Sequence, residues 1–170
     1  MGNKRKLGTT DFRNNNMSEN KITVLYVDDE ENNLISFKAN FRIKYNVLTA
    51  LSGDEAMSIL EKKHVDVIIT DQRMPNMTGV EFLEKVLEKN EEPMRILLTG
   101  YADMNAVVDA VNKGKIFHYL SKPWNEEELD MTIKRAYEVY LQKLELKNMN
   151  EKLVVSNDQF EFLLRQKLLS

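Results

Sequence analysis

The chain contains no cysteine. Disulfides and thiolate metal sites are excluded, and the absence fits a reducing, cytoplasmic setting. No apolar run approaches the ~20 residues that a membrane span needs. Lys4, Arg5 and Lys6 have no apolar stretch behind them, so they do not read as a signal peptide. Charge of one sign is also scarce: 24 basic against 27 acidic side chains leave a net charge of −3. No chain-wide basic field is present to draw in nucleic acid or an anionic membrane. The only two histidines, His64 and His118, lack ligand spacing and read as surface or packing residues. Internal repeats and low-complexity blocks are missing too. What remains is ordinary for a globular protein. With 170 residues, 42% hydrophobic, there is enough chain for one domain and an appendage.

Residues 1–20 are polar and aperiodic, with Asn14, Asn15 and Asn16 in the middle, and read as disordered. From Ile22 onward strand and helix patterns alternate. Short apolar runs at 22–27, 65–70, 94–98 and 116–120 suit strands buried on both faces. A further short strand, Asn46 to Ala50, reads as an edge. Helices are expected at 30–44, 54–63, 79–89, 102–113 and from 126 onward. Ser52 is placed to cap the second, Thr78 and Glu81 form a capping box for the third, and Gly114 ends the fourth. Five strands and five helices in strict alternation predict an α/β fold: a doubly wound, three-layer sandwich.

Four of the apolar runs end on chemistry. The first is followed by Asp28 and Asp29, the second by Asp71, the third by Thr99, and the fourth by Ser121, Lys122 and Pro123. In an open parallel sheet, ligands bind outside the carboxyl ends of the strands. Three carboxylates, a hydroxyl and an ammonium are therefore expected to converge there. Oxygen-only donors suit a hard cation such as Mg²⁺, with Asp29 and Asp71 as direct ligands and Asp28 acting through water. A carboxylate beside the ion is a candidate nucleophile toward phosphorus. Each residue alone has a plainer reading as a turn acid, a cap or a solvated charge; the set at successive strand ends carries the argument.

These residues and their neighbours resemble the receiver domain of two-component response regulators. The matching motifs are Val27 to Glu30; Thr70 and Asp71 with Met74, Pro75 and Gly79; Thr99 and Gly100 with Ala102; and Lys122 with Pro123. The resemblance covers about residues 22–138 and implies a flavodoxin-like sheet in the order 2-1-3-4-5. It implies that Asp71 accepts a phosphoryl group from a sensor histidine kinase or phosphotransfer protein in a phosphorelay. It further implies that Asp28, Asp29, Asp71 and the backbone carbonyl of Arg73 bind Mg²⁺. Thr99 and Lys122 would bind phosphoryl oxygens, Tyr119 would be the aromatic switch, and the Lys122–Pro123 bond would be cis. Such a domain is regulatory, not an enzyme acting on an external substrate. A phosphatase would need a general acid or base beside the nucleophile; Arg73 stands two residues beyond Asp71 instead. Segments around Asp71, Thr99 and Lys122 look like receivers that precede HD-GYP or transcription-activator domains.

The receiver is expected over residues 21–138, and residues 139–170 as a helical extension able to form a coiled coil. Val139, Leu146, Leu153 and Phe160 recur every seven residues, with Met149 and Leu163 three after two of them. Asn157 and Asp158 are expected to break this helix. The stem is read as a surface for a homodimer or a partner protein. The alternative is a DNA-binding regulator, acting through this tail or through a further output domain. Residues 139–170 hold five basic and four acidic side chains, 5 − 4 = +1, which disfavours nucleic acid as the tail's partner.

Overall fold

The computed structural model describes residues 21–169, and the disorder expected at residues 1–20 lies outside them. Ten elements alternate: β1 (Thr23–Val27), α1 (Glu31–Phe41), β2 (Asn46–Ala50), α2 (Gly53–Lys62), β3 (Val67–Asp71), α3 (Gly79–Lys89), β4 (Met94–Thr99), α4 (Met104–Asn112), β5 (His118–Ser121) and α5 (Glu126–Leu169). All strand pairs are parallel, in the order β2-β1-β3-β4-β5, with β2 on an edge. This is the doubly wound sandwich that the alternation predicts, in the flavodoxin-like order that the resemblance implies.

Side-chain alternation along each strand feeds two cores. Val24 and Tyr26 join Val67, Ile69, Ile96 and Leu98 under α1 and α5, where Phe37, Phe41, Leu129, Ile133 and Ala136 pack. Leu25 and Val27 join Ile68 and Leu97 on the opposite face, under Ala56, Phe82, Leu83, Val86 and Val107. Both faces are covered, so the central strands read as unbroken apolar runs.

Local signals set the helix ends. The Ser52 hydroxyl accepts from the Glu55 N–H at 3.1 Å. Thr78 and Glu81 exchange bonds of 2.9 and 3.2 Å, completing the capping box. Gly114 leaves α4 at φ +70°, a conformation that costs glycine nothing. Several boundaries differ from expectation: α1 ends at Phe41 rather than 44, and β3 starts at Val67 rather than 65. Helix α4 starts at Met104 because Tyr101–Asp103 forms a 3-10 turn first. Strand β5 starts at His118, leaving Ile116 buried but outside the ladder.

Helix α5 corrects two further expectations. It runs unbroken through Asn157 and Asp158 to Leu169. Asn and Asp cost a helix well under about 1 kcal/mol each, and neither glycine nor proline lies near. Val139 is not part of a free stripe. It packs with Leu144 against the α1–α5 core, next to buried Tyr140, so apolar packing runs past residue 138. Beyond Leu144 every described residue of α5 is exposed.

The base of α5 is tied down by Asp130. Tyr45 donates to its Oδ1 at 2.6 Å and Lys134 to its Oδ2 at 2.7 Å, with Lys44 3.6 Å away. Burial pushes this carboxyl up, but the bonds from Lys134 and Tyr45 and the nearby ammonium groups outweigh it, and its pKa lies below the ordinary value. A depressed carboxylate stabilises the fold above its unfolded pKa of about 3.9 and loses that contribution as pH falls toward the folded value. Asp130→Asn should therefore lower stability by about 1–2 kcal/mol at neutral pH. Thermal melts across pH 3–7 should show the gap from wild type closing at the acid end.

Candidate functional site

Four strand ends build one pocket. Asp28 follows β1 and is fully buried, Asp29 beside it is exposed, and Asp71 is the last, buried residue of β3. Their carboxylates offer one oxygen each within 4.8 Å of one another, the only such acid or histidine cluster among the described residues. Just past β5, Lys122 extends its ammonium to Asp71 Oδ1 at 3.0 Å and Asp28 Oδ2 at 3.4 Å. Thr99, the last residue of β4, is fully buried, and its carbonyl accepts the Lys122 N–H at 2.9 Å. The Lys122–Pro123 bond is cis.

Burial raises the Asp71 pKa above the ordinary carboxylate value; the bond and charge of Lys122 oppose the rise, and the Asp28 charge adds to it. Lys122 moves up for another reason. Burial works against its ammonium, but Asp71 and Asp28 outweigh burial. The pair thus favours the ammonium more than the carboxylate. The cause is geometric: one cation faces two buried anions, and Asp71 must also tolerate Asp28. Such a pocket has room for more positive charge, and its donors are all oxygen.

Gly79 is fixed by the site. A Cβ there would strike the Asp71 carbonyl and the Leu97 side chain, so α3 can begin this close to Asp71 only with glycine. The Gly79 N–H donates to the Gln72 carbonyl at 3.0 Å. Arg73 turns away from the acids, its guanidinium 3.0 Å from Asp103. Tyr119 is half-buried against the core under α2, α3 and α4, stacked beside His118. His64 bonds Asp66 at 2.9 Å at the other end of β3, away from the acids. Trp124 packs on Phe37 and Phe41.

Some of the pocket was not read from the sequence. Tyr26 donates to Asp28 Oδ2 at 2.9 Å, and Asn33 does so at 3.0 Å. The available signal was parity: on β1, Tyr26 lies two residues before Asp28 and so shares its face.

The fold and pocket define a class: a doubly wound α/β domain with an acidic, oxygen-lined pocket and a lysine at its strand ends. The family model of the response regulator receiver domain matches residues 24–134. The chain belongs to that family, the receivers of two-component systems. It is 41% identical over 122 residues to the hydrogenase transcriptional regulatory protein HoxA of Cupriavidus necator, covering 72% of this chain and 25% of that one. The chain thus spans about a quarter of the length of this relative. Among solved structures, a response regulator receiver domain protein from Clostridium thermocellum is 32% identical with a TM-score of 0.67, over 72% of this chain and 98% of that one. A protein titled adenylate cyclase from Rhodopirellula baltica is 29% identical with a TM-score of 0.75, over 78% and 98% of the two chains. Among the described residues no helix is long and apolar enough to cross a membrane.

Proposed function

We propose that this receiver is a phosphoacceptor in a phosphorelay and that Asp71 is its acceptor. The observation that carries the reading is Lys122 Nζ, 3.0 Å from Asp71 Oδ1 beside two more carboxylates. A carboxylate oxygen of Asp71 attacks phosphorus, and the bond to the donor's imidazole nitrogen breaks. An acyl phosphate forms on Asp71, and the donor leaves as histidine. Lys122 then exchanges part of its pairing with Asp71 for a phosphoryl oxygen, and the Thr99 hydroxyl takes another. The residues that fit Mg²⁺ are Asp29, Asp71 and the Arg73 carbonyl, with Asp28 through water. When bound, the ion offsets the negative charge that gathers on the phosphoryl oxygens.

The donor is a phosphohistidine on a sensor kinase or phosphotransfer protein, and Tyr119 is the switch that reports the new state. Acetyl phosphate and Mg²⁺ should give one stable adduct of about 80 Da, the mass of one phosphoryl group. Continuous phosphate release without an adduct would instead mean turnover, and would refute the acceptor reading.

Output passes by protein–protein contact through the stem of α5. Leu146, Met149, Leu153, Phe160 and Leu163 are all exposed at heptad-like spacing. Past Leu144 the helix keeps one ion pair to the sandwich, Lys147 to Glu92 at 3.7 Å, and leaves its row of large apolar side chains in water. A second copy supplies the missing cover, in a dimer whose affinity changes on phosphorylation. Sedimentation should show self-association that Leu146→Asp with Leu153→Asp abolishes. A wild type that stays monomeric at high micromolar concentration, with and without beryllofluoride, would rule out the dimer.

A second reading draws on the relatives. HoxA is named a transcriptional regulator and aligns with this chain over a quarter of its own length. On that reading the receiver governs a DNA-binding output. The near-neutral stem gives little to phosphate contact, so a binding partner or further domain would have to touch the DNA.

A further inference from the structure

We propose that Tyr26 is a positioning residue of the acid pocket: with Asn33 it holds Asp28 so that one defined oxygen, Oδ1, faces a bound cation. The inference rests on the magnesium reading above and adds residues and an atom to it.

Asp28 is a crowded carboxylate. Its Oδ2 receives the Tyr26 hydroxyl at 2.9 Å, the Asn33 amide at 3.0 Å and Lys122 at 3.4 Å. Its Oδ1 receives only the Glu30 N–H, at 2.9 Å, among the bonds described. A carboxylate has about four lone-pair sites, two on each oxygen. Oδ2 is saturated, and Oδ1 keeps acceptor capacity. The donors therefore do more than satisfy a buried charge: they fix the carboxylate plane and choose which oxygen is free. Groups that orient a metal-binding side chain in this way tune affinity without touching the ion.

Tyr26 is well built for the task. Its ring is fully buried and stacked on Phe37 at 4.3 Å, so the hydroxyl has little freedom. Trp124 packs edge-on against the same Phe37, with ring centroids 6.1 Å apart. Lys122 reaches the same Asp28 oxygen directly, at 3.4 Å. A phenylalanine would fill the same core space and pack equally on Phe37. The hydroxyl is the part that packing does not require.

The test uses the full chain and Mg²⁺ alone. Trp124 is the only tryptophan, so its fluorescence follows the titration, and the Mg²⁺-induced rise in melting temperature gives a second measure. Tyr26→Phe should weaken Mg²⁺ binding by about tenfold, and Asn33→Ala should weaken it in the same direction. Asn33 is only half-buried on α1, so that variant keeps the test alive if Tyr26→Phe folds poorly. Tyr45→Phe is the control, because Tyr45 also donates to a buried carboxylate, Asp130, at the base of α5 and outside the acid cluster. It should lower the metal-free melting temperature and leave Mg²⁺ affinity unchanged. Wild-type affinity in both Tyr26→Phe and Asn33→Ala would overturn the inference, as would an equal loss in Tyr45→Phe. A wild type that binds no Mg²⁺ would instead overturn the magnesium reading, and this inference with it.

Discussion

Asp71→Asn should lose the phosphoryl acceptor and at the same time melt at a higher temperature than the wild type in metal-free buffer. The amide keeps the size of the side chain and removes one of three carboxylates whose oxygens gather within 4.8 Å. Burial first, and then the Asp28 charge, already hold the Asp71 pKa above the ordinary value despite Lys122. A raised carboxyl pKa means that ionisation costs the folded state. The cost is absent below the unfolded pKa of about 3.9 and is complete above the folded one. The advantage of the variant should therefore grow as pH rises and vanish in acid. Lys122 keeps Asp28 as a partner at 3.4 Å, which limits the loss on its side. A gain of about 1 kcal/mol would move the midpoint by roughly 2–4 °C at this chain length. A lower midpoint at neutral pH would show that the Lys122 pair outweighs the repulsion.

The second large effect separates the two adjacent acids. Asp29→Ala should reduce Mg²⁺ affinity and phosphorylation by about a hundredfold and raise metal-free stability. Asp28→Ala should reduce affinity by about tenfold and lower stability by about 1–3 kcal/mol. The contrast follows from their surroundings. Asp29 is exposed and adds repulsion to the cluster. Asp28 is fully buried and holds the hydroxyl of Tyr26, the amide of Asn33 and Lys122. Removing it strands a buried donor. Labelling that proceeds in the presence of a chelator would refute the metal's part altogether.

These contrasts also mark what a linear sequence conveys. The strand ends were legible because runs such as Val67–Asp71 and Met94–Thr99 pass abruptly from apolar to polar, and the parallel fold sends all those ends to one edge. Caps at Ser52 and Thr78 were legible because their partners lie within three residues. Tyr26 was not, since an aromatic in a buried strand looks like core until its hydroxyl is seen to meet Asp28. Asn33 was hidden by the turn that brings α1 back over the pocket. At the other end of the chain, Asn157 and Asp158 carried a local bias against helix that α5 overrides. Val139 fitted the seven-residue repeat yet belongs to the sandwich, because one face of α5 serves the core before the stem begins.

The central claim is that Asp71 takes the phosphoryl group. Its most direct test is peptide-level mass spectrometry of wild type and Asp71→Asn after acetyl phosphate and Mg²⁺. The account predicts one adduct of about 80 Da in the wild type, on the peptide containing Asp71, and none in the variant. A full adduct on the variant, or one mapped to another residue in the wild type, would contradict it.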